Sequence, residues 1–164
     1  IMKSSIFGQA KDLFFMQQAI AYAHQAYGHN EVPIGAVVVN SHQEIIGAGY
    51  NQVESCHTQR AHAESIAIEQ AGAGRLDWRL DGCWLYVTLE PCAMCMGLIT
   101  LSRMQGVVYA APSPLFGYRL DKDAALSVYN RDLLCTVDGV MQQEASMLLK
   151  KFFQQKRKVS GNST

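Results

Sequence analysis

The chain has 164 residues, 49% hydrophobic and 17% charged, which suits one globular domain with a full core and excludes a disordered chain. Its 14 basic and 14 acidic residues cancel, so net charge alone does not point to a nucleic-acid partner. No apolar run is long enough for a membrane span, the first residues lack a secretory apolar region, and the five cysteines are an odd number. These features predict a cytoplasmic, reducing location and no membrane partner.

Leu13, Met16, Ile20, Ala23 and Tyr27 recur at helical spacing, with Asp12 placed to cap the start and Gly28 to end the helix. Residues 34–39 are a short β-branched apolar run and predict a buried strand. Residues 40–43 form a turn, and 44–50 return as an antiparallel strand. Residues 52–60 are polar and read as a loop leading to His62, where a helix opens and runs to Gly72 or Gly74. A third strand over 83–89 delivers Pro91-Cys92 into a helix that ends near Ser102, and 107–110 is a fourth strand. The stretch 112–129 carries two prolines, the cluster Phe116-Gly117-Tyr118 and a short helix over 121–128. A fifth strand over 133–137 precedes the last helix, 140–156, with Met141, Ala145, Leu148 and Phe152 on one face, widened by Leu149 and Phe153. The order αββαβαββα, without repeat or linker, predicts a single domain over residues 1–164. Its class is α/β: a three-layer α/β/α sandwich around a central mixed five-stranded sheet.

The chemistry gathers at His62-Ala63-Glu64 and Pro91-Cys92-Ala93-Met94-Cys95. Proline suits a first helical turn, and cysteines at i and i+3 then share one face of that turn. A helix N-terminus lowers a thiol pKa and favours the thiolate that zinc needs. His62, Cys92 and Cys95 supply the three protein ligands of a catalytic zinc site, which keeps a fourth position for water. Glu64 is too near His62 in sequence to ligate comfortably and is placed to move protons. A redox Cys-x-x-Cys pair and a structural zinc are the alternatives. A structural site needs a fourth ligand, for which Cys56, His57 and Cys83 are candidates without the right spacing, and a redox pair leaves His62 and Glu64 unexplained. Elsewhere, Lys150, Lys151, Lys156, Arg157 and Lys158 crowd the C-terminal region and no acid follows Glu144, which fits either a solvated helix end or contact with phosphates.

His-x-Glu followed by Pro-Cys-x-x-Cys is the spacing of zinc nucleobase deaminases. Over nearly its whole length the chain resembles the cytidine-deaminase-like superfamily and, within it, the bacterial tRNA-specific adenosine deaminases. The resemblance is carried by Glu31-Val32-Pro33-Ile34-Gly35-Ala36-Val37, Gly49-Tyr50-Asn51, Ala61-His62-Ala63-Glu64, residues 86–95, and Phe152-Phe153 with Lys156-Arg157. It implies a homodimer that converts adenosine to inosine at the wobble position of a tRNA anticodon loop. Zn²⁺ would lie on His62, Cys92 and Cys95, with Glu64 as proton shuttle, Asn51 bonded to the nucleoside, and Glu31 and Val32 at the pocket mouth. The chain departs from the family pattern at Gln59-Arg60, where an Asp-Pro pair is usual, and at 112–118, where the family has a charged, Gly/Ala-rich stretch. Two other readings stay open: a deaminase of a free nucleobase or nucleoside on the same fold, and a non-catalytic, zinc-containing RNA-binding subunit. An intact Glu64 speaks against the second.

Overall fold

The computed structural model describes residues 4–120 and 134–161. Within them the chain runs α1 (Gln9–Gly28), β1 (Gly35–Val39), β2 (Ile45–Tyr50), α2 (Val53–Cys56), α3 (Ala63–Arg75), β3 (Trp84–Leu89), α4 (Ala93–Leu101), β4 (Gly106–Ala111), β5 (Cys135–Asp138) and α5 (Gln142–Gly161). The strands form one sheet in the order β2-β1-β3-β4-β5. β1 pairs antiparallel with β2 and β3, and β4 lies parallel to both β3 and β5, so the sheet is mixed as predicted. Side chains alternate across each strand. Ala36, Val38, Leu85, Val87, Val107 and Tyr109 meet α3 and α4 on one face. Val37, Val39, Trp84, Tyr86, Val108 and Val137 meet α1 and α5 on the other. The three-layer sandwich is therefore present. Among the described residues no helix is long and apolar enough to cross a membrane.

Several local expectations change. α1 begins at Gln9, after Gly8, so Asp12 lies in its first turn and is not its cap. Asp12 is buried instead and accepts from the Tyr86 hydroxyl at 2.7 Å, the Ser5 amide at 2.8 Å and the Ser5 hydroxyl, which ties the N-terminal segment to β3. The buried stripe of α1 is Phe15, Met16, Ala19, Ala23 and Ala26, while Leu13 is exposed. The span 52–60 contains α2 and leads into a 3₁₀ turn, Gln59–Ala61. Pro91 precedes α4, whose N-cap is Cys92. β5 begins two residues after the predicted strand, and α5 begins at Gln142 and runs beyond residue 156. The helix expected over 121–128 lies outside the described residues.

α3 packs on β2 at unusually short range because β2 carries glycines on that face. A Cβ on Gly47 would lie 2.2 Å from the Ala67 carbonyl oxygen, and one on Gly49 would lie 2.8 Å from that of Ala63. A side chain at Gly49 would push the first turn of α3 off the sheet, and one at Gly47 would push away its middle. We therefore expect Gly49→Ala to cost about 1–3 kcal/mol, as overpacking of a close contact does. A urea titration should show a lower midpoint with an unchanged slope, whereas an unchanged midpoint would mean that the contact is slack.

Candidate active site

β2 and β3 run in the same direction, separated by antiparallel β1, with β4 parallel to β3. The carboxyl ends of β2, β3 and β4 and the entry to β1 therefore lie along one edge of the sheet. Glu31, Asn51, the 52–62 connection, the Pro91-Cys92 turn and the 112–119 loop all leave from that edge. Ligand sites in open α/β sheets favour such edges, beside helix N-termini.

His62 is the N-cap of α3, and Cys92 is the N-cap of α4. The 52–62 connection is pinned at its base, where the Gln52 amide donates to the Ala61 carbonyl at 2.9 Å. His62 Nδ1 then lies 3.8 Å from Cys92 Sγ and 3.4 Å from Cys95 Sγ. The three potential ligand atoms all fall within 4.8 Å of one another. Tetrahedral ligands about 2.0–2.3 Å from a zinc ion stand about 3.3–3.8 Å apart, so the imidazole and the two thiols fit that ion. The other ring nitrogen of His62 is 3.3 Å from Gln59 Oε1. An Nε2–H donated to that oxygen leaves Nδ1 as an acceptor facing the thiols, which is how metal-binding histidines are commonly oriented.

The electrostatics follow from crowding these groups together. The Cys95 thiol, and after it His62, hold Cys92 at a pKa of about 4 against the opposing effect of burial. Cys95 moves upward, because it shares a proton with Cys92, is buried and lies near Glu64. His62 is raised, chiefly by its contact with Cys92. Glu64, 4% exposed in the first turn of α3, is raised by burial although His62 opposes the shift. A carboxyl whose pKa is raised by burial beside a metal site suits general acid–base work.

The other predicted residues lie on the same edge. Asn51 is 4% exposed, and its backbone amide donates to the Ile34 carbonyl at 2.9 Å. Its side-chain amide donates to Glu31 Oε2 at 3.4 Å. Glu31 is 1% exposed, and it also accepts from the amides of Glu54 at 3.1 Å and Ser55 at 2.7 Å. Burial pushes the Glu31 carboxyl up, yet the Ser55 and Glu54 amides hold it below the usual carboxylate range. An ionised Glu31 thus anchors α2 as well as Asn51. Val32 is half-buried, and its carbonyl accepts from the Ile34 amide. Sequence reasoning missed Gln59, whose place three residues before His62 carries no signal of its own.

Residues 9–111 match the family described as the cytidine and deoxycytidylate deaminase zinc-binding region. The chain is 38% identical over 152 residues to a tRNA-specific adenosine deaminase of Bacillus subtilis (strain 168), covering 90% of this chain and 92% of that one. A tRNA-specific adenosine deaminase of Buchnera aphidicola is likewise 38% identical, with 90% and 97% covered. A solved structure from a study of A-to-I editing by tRNA deaminases at the wobble position superposes with a TM-score of 0.74 at 31% identity, covering 83% of this chain and 99% of that one. The guanine deaminase of Nitrosomonas europaea shares the fold, with a TM-score of 0.76 at 21% identity over 93% and 94% of the two chains. Fold and sequence together make the chain a member of the cytidine and deoxycytidylate deaminase family. Within it, the near-full-length matches place the chain among the tRNA-specific adenosine deaminases.

The cofactor is zinc, and the ligand geometry predicts one ion per chain. Elemental analysis of protein purified without added metal should find that stoichiometry, and Cys92→Ala should lose both the metal and thermal stability, because metal binding is coupled to folding. Two ions per wild-type chain, or a variant that keeps its zinc, would refute the three-ligand site.

Proposed function

We propose that this chain is a zinc-dependent hydrolase that converts adenosine to inosine at the wobble position of a tRNA anticodon loop. The observation that carries the reading is the convergence of His62, Cys92 and Cys95 beside the buried carboxyl of Glu64, in a chain whose near-full-length relatives are tRNA-specific adenosine deaminases. His62, Cys92 and Cys95 hold the ion. Zinc, when bound, supplies a nucleophile from water at neutral pH. Glu64 takes the proton released as the water oxygen bonds to the amine-bearing carbon of adenine and passes it to the adjacent ring nitrogen; it then carries the remaining hydroxyl proton to the departing amine, so that ammonia leaves and a carbonyl remains. Its burial raises its pKa and so favours the proton-holding form that the transfer passes through. Asn51, held by Glu31, presents its amide to the nucleoside, while Glu31 and Val32 lie at the pocket mouth. The target base must leave its stack to enter, which an anticodon loop permits more readily than a duplex.

The basic residues of α5 serve the RNA backbone in this reading. Ala145, Leu148 and Phe152 bury one face of the helix, and Lys150, Lys151, Arg157 and Lys158 are exposed. Lys151 Nζ sits 5.6 Å above the Tyr27 ring, so part of this charge is held close to α1. The active form is a homodimer. Exposed Leu76, Trp78 and Leu101, beside a shallow cavity of about 560 Å³ that also takes in Ile68 and Leu98, offer the apolar surface for that contact. The whole chain acts as one deaminase domain in the cytoplasm.

Two experiments test this reading. Glu64→Ala should keep zinc and fold but lose turnover by on the order of 10²–10⁴, the usual worth of a general acid–base. Release of zinc by this variant would make Glu64 a ligand, and undiminished activity would remove it from the mechanism. Inosine formation in an anticodon stem-loop should also fall steeply between low and moderate salt, because phosphate contacts release counterions. Replacing Lys156, Arg157 and Lys158 with neutral residues should flatten that slope without changing metal content. Salt-insensitive ammonia release from guanine or cytosine, with no inosine in tRNA, would instead assign the enzyme to small substrates.

A further inference from the structure

We propose that Glu90 is a positioning residue whose buried carboxylate folds the 112–119 loop onto the backbone of Cys92 and thereby shapes the entrance that an RNA loop must use. The inference rests on the deaminase reading and adds a specificity element to it.

Glu90 stands between β3 and α4, two residues before Cys92, and is only 5% exposed. Its own amide extends the β3–β4 pairing by donating to the Ala111 carbonyl at 2.8 Å. One carboxylate oxygen accepts from the Ser113 amide at 3.0 Å. The other accepts from the Arg119 amide at 3.1 Å and from Arg119 Nε at 3.2 Å. A single side chain thus closes both ends of the loop. Arg119 is fixed from two further sides, reaching Asp138 at 3.5 Å and lying 5.1 Å above the Tyr109 ring.

The loop in turn touches the metal turn. Gly117 forms an antiparallel bridge with Cys92, and the Tyr118 amide donates to the Pro91 carbonyl at 2.9 Å. This contact requires glycine, since a Cβ at 117 would come within 2.5 Å of Glu90 Cδ and 2.6–2.7 Å of its oxygens. Leu115 and Phe116, each 76% exposed, are left at the tip, two residues and one residue from the bridge to Cys92. The carboxylate has three donors and needs no metal to hold them. Its effect is to keep an exposed apolar tip in one place beside the pocket, where it matters to a long substrate more than to a free base.

The test uses the full chain carrying zinc, with Glu90→Ala, Glu90→Gln, Gly117→Ala and the double variant Glu90→Ala/Gly117→Ala. Glu90→Ala should keep one zinc per chain while amide exchange quickens at Ser113 and Arg119. Its KM for an anticodon stem-loop should rise about tenfold, the order expected for losing a buried charge-assisted hydrogen bond, with kcat little changed. Glu90→Gln should fall between, because its amide retains one acceptor oxygen. Gly117→Ala should reproduce the loss alone yet add little to Glu90→Ala, since truncating Glu90 empties the space the new methyl needs. A Glu90→Ala protein that only melts earlier, with KM and exchange unchanged, would overturn the proposal, as would fully additive effects in the double variant. If Glu90→Ala does not fold, Glu90→Gln and Gly117→Ala carry the same comparison. If the wild-type protein forms no inosine, the deaminase reading fails, while exchange rates and non-additivity still judge the role of Glu90 in the loop.

Discussion

The site depends first on how closely α3 can approach the sheet. His62 and Glu64 belong to the first turn of that helix and its cap, and their positions follow the helix as a rigid body. Gly47 and Gly49 present bare backbone to Ala63, Ala67 and Ala71, so that helix and strand meet without intervening side chains. From the same sheet edge, β3 carries the Cys92 turn and parallel β4 carries the loop that covers it. Small residues under α3 and a central β3, buried from Trp84 to Thr88, therefore set the distance between an imidazole and two thiols. Interiors packed this tightly transmit small displacements, so side chains well away from His62, Cys92 and Cys95 control the spacing of those three groups.

The electrostatic design follows from that placement. Two thiols, an imidazole and a buried carboxyl would repel or desolvate one another if left uncompensated. Both helix N-termini point into the cluster and offer partial positive charge, which favours thiolate at Cys92. Glu64 responds in the opposite direction because burial dominates its surroundings. One edge of the sheet thus holds a ligand set suited to a cation and a carboxyl able to carry a proton. Glu31 and Glu90 are buried carboxylates of another kind: each is surrounded by amide donors and organises a loop. Charge at this edge therefore divides between chemistry and architecture.

Much of this was legible in the sequence, for identifiable reasons. His62, Cys92 and Cys95 are rare residue types at fixed spacing after a strand, and period-two and helical patterns were enough to place the five strands and the layers. Asp12 was misread because Asp near a helix start is usually a cap, whereas here a partner far along the chain, Tyr86, recruits it. Leu13 fits the helical period but lies outside the buried stripe, which is made largely of alanines that carry little pattern. Glu31 was assigned to the pocket mouth by resemblance, and its work on α2 could not be seen because those amides lie more than twenty residues away. The same holds for Glu90 and Gly117, whose contact exists only once β3 and β4 are parallel neighbours.

The central claim, that one imidazole and two thiolates hold the ion and leave a position open, is tested most directly by X-ray absorption at the zinc edge of the purified protein. The spectrum should fit two sulfur ligands near 2.3 Å and two nitrogen or oxygen ligands near 2.0–2.1 Å, one of them exchangeable with solvent. A shell of three sulfurs would mean that Cys56, which stands on the same edge of the sheet, closes the site. That result would contradict an open catalytic centre and turn the zinc into a structural ion.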